Sequence, residues 1–189
     1  DKLGHSGGLF AGSLAERAFW KAWDYASART QGRIPGDDRD RSVETTAHPA
    51  VKKLMLESRT ISDSILALCL ASAGYIDMAR ESKNEGERYM SHARLLYPLC
   101  GSVSVNRAKE SFASAAAATG SYACLEESGF ASIRNDMEGF AVHPLTPEVA
   151  GADYLLARIF PDSGKSLSVL LDEMRMTADE CQDNPDMVR

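Results

Sequence analysis

The sequence predicts an all-α fold, an up-down four-helix bundle with an additional C-terminal helix, and three observations lead there. Apolar residues recur at three- and four-residue steps over long stretches, as on one face of a helix. Alanine, leucine and serine are abundant while β-branched residues are scattered, which favours helix over sheet. A polar stretch rich in glycine, proline, aspartate and arginine separates the first two periodic stretches, whereas Pro98 lies inside the third.

The first helix is expected from about Gly8 to Thr30, with Leu9, Leu14, Ala18, Trp23 and Tyr25 in its apolar set, stopping near Gly32. A polar loop follows over residues 32–47. His48-Pro49 opens the second helix, because proline is pre-organised for a first helical position. Its apolar set runs through Val51, Met55, Ser58, Ile65, Cys69 and Ser72, and the pattern fails at Glu81 to Gly86. The third helix spans about Glu87 to Thr119, with Pro98 expected to kink or break it. Its small-residue stretch, Ala113 to Ala118, implies close approach by a neighbour. Beyond Gly120 the chain reads as short turns near Cys124–Ser128 and Phe130–Asp136, then a loop over Met137–Pro147. Helices over Glu148–Phe160 and Lys165–Asp179 follow, and a polar tail from Glu180. The whole is one domain, residues 1–189, with its core at about 8–160 and an extra helix and tail at 161–189. The missing initiator methionine and the early start of the apolar pattern are expected of a segment of a longer protein.

Net charge is −6, against the clustered cations a nucleic-acid partner requires. Cys69, Cys100, Cys124 and Cys181 contain no C-x-x-C pair, and no histidine stands at zinc-ligand spacing, so reduced structural thiols and no metal are expected. Neither Glu44 and His48 nor Glu87 and His92 have the Glu-x-x-His spacing of a di-iron bundle. No run of about 18 uninterrupted apolar residues suggests a membrane span. A cytoplasmic location is the resulting expectation. Phosphate-loop, dinucleotide and hydrolase motifs are absent from the sequence.

Five segments, in order, carry a resemblance. The stretch Tyr25-Ala26-Ser27-Ala28-Arg29-Thr30-Gln31-Gly32-Arg33 resembles the Y-x-x-x-R-x-Q helix end of the acyl-CoA dehydrogenase C-terminal domain. Its Gln-Gly-Arg variant is similar to the larger members, including the branch induced by alkylation damage. His48-Pro49-Ala50-Val51-Lys52-Lys53-Leu54 resembles that family's H-P-D-V-R-R run, and Leu95-Leu96-Tyr97-Pro98 its proline-bearing helix. Thr119-Gly120-Ser121-Tyr122 through Glu126-Glu127 corresponds to its G-G-x-G-Y-x-E-E, and Asp153-Tyr154-Leu155-Leu156-Ala157-Arg158 to its closing helix.

The resemblance implies a flavin lying between this bundle, a preceding β-domain and a neighbouring subunit. Carried over, Arg29, Gln31, Gly120 and Thr146 are its cofactor-binding residues, with FAD as cofactor. A homodimer or tetramer forms through the bundle, and acyl-CoA is the substrate of the full protein. Ser121 and Ala123 stand where the family has glycines, and Ala117 where it has glutamine. The family's catalytic glutamate lies eight residues beyond an acidic anchor. Counting from Asp136 reaches Pro144, which takes no proton. Some members place the base early in the first helix, and the equivalent here is about Leu3. Glu138, His143 and Glu148 are the neighbouring groups able to titrate. Two functions therefore stay open: a flavoprotein domain with a degenerate catalytic segment, or a non-catalytic helical dimerisation and assembly module that has lost its flavin.

Overall fold

The computed structural model describes residues 2–34, 42–141 and 147–182, and among them the architecture is all-α. Three long helices form the body: α1 (Lys2–Ala28), α2 (Pro49–Glu81) and α3 (Gly86–Thr119). The shorter α4 (Phe130–Ala141) closes the bundle against α1 and α3. Two further helices, α5 (Pro147–Tyr154) and α6 (Lys165–Gln182), pack on α3.

The three long helices approach closely because their shared faces are small. On α1 the fully buried residues are Ala11, Ala15, Ala18, Ala22 and Ala26, at three- and four-residue steps. Trp23, expected in that face, is 42% exposed instead. A stripe of alanines lets the α2 and α3 backbones reach α1, and a tryptophan would hold them off. Serines continue the pattern on α2 (Ser58, Ser62, Ser72) and α3 (Ser104, Ser111). Ser111 Oγ donates to the Ser58 carbonyl at 2.9 Å, so burying these two hydroxyls does not strand them. Ala115 and Ala118 are buried, as expected of the α3 small-residue stretch.

Glycine is required where α1 crosses over α3. A β-carbon on Gly8 would stand 1.9 Å from the Cys100 carbonyl oxygen, a backbone atom that cannot swing aside.

Several boundaries differ from the sequence pattern. The helix α3 continues through Pro98 without a break, since its flanking turns are held by the packed faces on either side. Met137 to Ala141, expected in a loop, belongs to α4. Met137 is only 1% exposed and shares a face with Phe130 and Ile133, so burial extends the helix past the point where periodicity alone placed its end. The stretch after α5 is not one helix: it loosens into a π-helical turn at Leu155–Ile159 and tightens into a 3-10 turn at Phe160–Asp162. Asp162 then starts α6, its carboxylate accepting from the Gly164 and Ser166 amides at 3.0 and 2.9 Å. A hydrogen bond from the Ser166 hydroxyl, and after it those from the amides, holds its carboxyl below the ordinary range. Glu173 fastens α6 to α3 by pairing with Arg88, and stands 3.3 Å from Nδ1 of the buried His92.

The sequence pattern gave no membrane-length run. In the structure one helix among those described, α2, has the length and mean hydropathy (1.3 over an 18-residue window) to cross a bilayer. One face of α2 is covered by α1 and α3, while Leu56 and Leu70 are exposed.

Candidate functional site

The end of α1 is pinned by backbone bonds rather than left to fray. Thr45 N–H donates to the Arg29 carbonyl at 2.8 Å and Gln31 N–H to the Val43 carbonyl at 2.8 Å, around an isolated antiparallel bridge between Thr30 and Glu44. Thr45 Oγ1 adds a 2.8 Å bond to the Ala26 carbonyl, taking up one of the acceptors that a helix C-terminus leaves open. His48 then ties this segment to α2. Its Nε2 lies 2.7 Å from the Gln31 carbonyl, and because a carbonyl only accepts, that nitrogen carries the proton. The His-Pro pair thus divides two tasks: Pro49 opens α2, and His48 anchors the strand-like exit of α1.

Across from this segment lies the C-terminus of α3. Gly120 has φ 72° and ψ −148°, a combination essentially restricted to glycine. A β-carbon there would meet nothing within 4 Å, so its backbone faces open space. The five-residue 3-10 turn Gly120–Cys124 carries Tyr122 onto Tyr25, ring on ring, with centroids 4.5 Å apart and planes 3° from parallel. The Tyr25 hydroxyl in turn accepts a hydrogen bond from Arg29, one helical turn on. The Arg29 guanidinium is thereby set by a ring pair that joins the two sides.

These elements enclose a cavity of about 500 Å³. Arg29, Gln31 and Gly120, singled out from sequence, all line it, together with Tyr25, His48 and Ser121. Among the described residues lining it none is acidic, and Arg29 supplies a fixed cation with a planar fork of donors. Such a lining suits an anionic group with a polar rim. Thr146 and Pro144 lie outside the described residues, as does His143, and the side chain of Glu148 is likewise not described. Leu3 lies in the first turns of α1. Glu138 does not face a site: it is exposed and paired with Lys109 at 2.5 Å. Asp136 lines a second cavity, about 620 Å³ between α1 and α4, where Phe10 and Phe140 stack at 5.5 Å.

The sequence singled out Arg29 and Gln31 but not the residues that hold them. Tyr25 stands four residues before Arg29, on the same helix face, and that spacing was the available signal. The partnerships of Tyr122 and His48 cross between elements and leave no local trace. Removing the His48 anchor is expected to free the exit of α1. In His48→Ala the amides of Gln31 and Val43 should exchange faster by an amount worth roughly 1 kcal/mol, the usual net value of such a bond, read by hydrogen–deuterium exchange.

Fold and site together define a helical-bundle domain with a cavity at the α1–α3 end that carries Arg29 and, among the described residues, no carboxylate. Comparison with known proteins places that domain among relatives. The chain is 27% identical over 155 residues to the 3-methylmercaptopropionyl-CoA dehydrogenase of Ruegeria pomeroyi, covering 82% of this chain and 26% of that protein. It is 25% identical over 169 residues to a butyryl-CoA dehydrogenase of Syntrophomonas wolfei, covering 88% of this chain and 28% of that one. A further butyryl-CoA dehydrogenase of the same organism is 25% identical over 149 residues, covering 78% and 24%. No family model matches the chain. It spans about a quarter of the length of the curated relatives it matches. These matches show a family relation between this chain and the acyl-CoA dehydrogenases.

Proposed function

We propose that the chain is the C-terminal helical domain of an acyl-CoA dehydrogenase-like flavoprotein, and that the cavity between the end of α1 and the Gly120 turn holds the phosphate-bearing part of FAD. The observation that carries this is the convergence of Arg29, Gln31 and Gly120, up to 91 positions apart in sequence, on one cavity with no acidic residue among the described ones lining it. The residues fit the group. Arg29 offers charge-assisted donors for a phosphate, and the open backbone at Gly120 lets a flat or bulky group come close. Ser121, in a family glycine position, narrows the approach yet adds a hydroxyl to the lining.

In the full protein FAD supplies the acceptor for the hydride lost from Cβ of an acyl-CoA. This chain's contribution is binding and positioning. Pro144 offers no proton acceptor at the place of the family's glutamate, so this chain supplies no catalytic carboxylate there. The apolar cavity at Phe10 and Phe140 adjoins the end of α4, and it suits the acyl chain of a thioester. Assembly as a dimer is supported by apolar side chains left in solvent on α1 and α2, Trp20, Trp23, Leu56 and Leu70.

The test is the visible spectrum of the purified full-length protein. Bound, extractable FAD is expected. A colourless protein that still forms a stable dimer would instead establish the assembly module without flavin, a reading that Pro144 and the exposed apolar residues favour. Addition of acyl-CoA under anaerobic conditions then decides whether chemistry survives. A flavin that stays oxidised is expected of a chain lacking the carboxylate.

A further inference from the structure

A pair of thiols lies buried where α1 crosses α2 and α3, away from the cavity just described. Cys69 on α2 and Cys100 on α3 are both fully buried, and neither forms a disulfide. One point of α1 abuts both, a β-carbon on Gly8 meeting the Cys100 backbone and the Cys69 sulfur together. The helices come together tightly here: Cys100 Sγ is 3.9 Å from the Leu68 carbonyl of α2. The pair is roofed by Gly8 of α1, whose added β-carbon would lie 3.0 Å from Cys69 Sγ. Ser72 and Ser104, one helical turn from each cysteine, complete a buried polar diamond. Their buried hydroxyls have no hydrogen-bond partner among the described residues.

An apolar filling of this spot would be the simplest way to stabilise three packed helices. Instead the bundle holds two neighbouring thiols and two hydroxyls without hydrogen-bond partners, in a region otherwise closed to water. We propose that Cys69 and Cys100 are a dithiol modification site, converted by a two-electron oxidant of the hydroperoxide class into a disulfide that ties α2 to α3.

The Cys69 sulfur attacks a peroxide oxygen and becomes a sulfenic acid, with release of one water when the oxidant is hydrogen peroxide. The Cys100 sulfur then displaces the new hydroxyl, which leaves as a second water with the Cys100 proton. Two S–H bonds are lost, one S–S bond forms, and the peroxide takes up both electrons. Cys69 is the sulfur to react first. Its interaction with the neighbouring Cys100 thiol lowers its pKa against the opposing effect of burial, whereas that of Cys100 is pushed up. The oxidant enters only when α1 lifts around Gly8, so the pair reacts more slowly than the exposed Cys124.

The test treats the full-length protein with graded hydrogen peroxide, blocks remaining thiols under denaturing conditions and maps the peptides by mass spectrometry. A dithiothreitol-reversible cross-link between the Cys69 and Cys100 peptides is expected, together with a rise of several degrees in Tm, since the bond closes a long loop. In Cys69→Ser, Cys100 should remain alkylatable under conditions that cross-link the wild type. Should that variant fail to fold, the wild-type map still decides. Cys69 and Cys100 both recovered as free thiols after Cys124 is fully oxidised would overturn the proposal. So would their linkage to any other cysteine.

Discussion

Truncating Phe130 to alanine should cost about 3–5 kcal/mol of stability, the range for deleting a large aromatic side chain from a packed core. Phe130 is 2% exposed and begins α4, its amide donating to the Ser128 hydroxyl at 3.2 Å. Its ring meets Phe112 of α3 with centroids 5.8 Å apart. With Ile133 and Met137, buried at steps of three and four, it forms the single face by which α4 holds to the bundle. The cavity left by the ring cannot collapse easily, because the neighbouring α1 face is already alanine. In urea the midpoint should fall while the slope stays constant. Leu125→Ala, on the exposed turn just before, should stay within roughly 0.5 kcal/mol of wild type. Equal effects of the two would mean that α4 is not packed as described.

Removing the Arg29 guanidinium should weaken FAD binding by roughly ten- to a hundredfold, corresponding to about 1.5–3 kcal/mol for a hydrogen bond to a charged group. Pre-organisation sets the size of this effect. Arg29 is already oriented by Tyr25, and Tyr25 by its stack on Tyr122, so little side-chain freedom remains to be lost on binding. Arg29→Lys keeps the charge but not the planar fork, and should recover only part of the affinity. Fold stability should change little, because the side chain is exposed. Unaltered affinity in Arg29→Ala, measured by fluorescence titration of the full-length protein, would remove this residue from the site.

Long helices were legible because their periodicity is long. The extents of α2 and α3 follow from Pro49, from the apolar steps through Ser72, and from the small residues before Gly120. Sequence showed only part of the small-residue core: Ala18, Ser58 and Ser72 belong to the expected faces, the other α1 alanines do not. Leu9 and Trp23 stand out as apolar, yet the packed face of α1 is mostly alanine with Phe19 among them, because close backbone approach more than side-chain bulk builds this core. The end of α4 was misplaced for a related reason: Met137 is buried by tertiary contact that a single segment does not display. At the site, Arg29, Gln31 and Gly120 follow from the family resemblance that their segments carry. Their common cavity became visible only when α1 and α3 were folded together, and the roles of Tyr122 and His48 only with their partners in place.

The location of the cofactor is the point on which the account stands. Hydrogen–deuterium exchange of the full-length protein, with and without FAD, tests it most directly. Protection is predicted at residues 29–32, at 43–48 and around the Gly120 turn, with residues 165–182 unchanged. FAD that binds without protecting those three segments would contradict the assignment of this cavity.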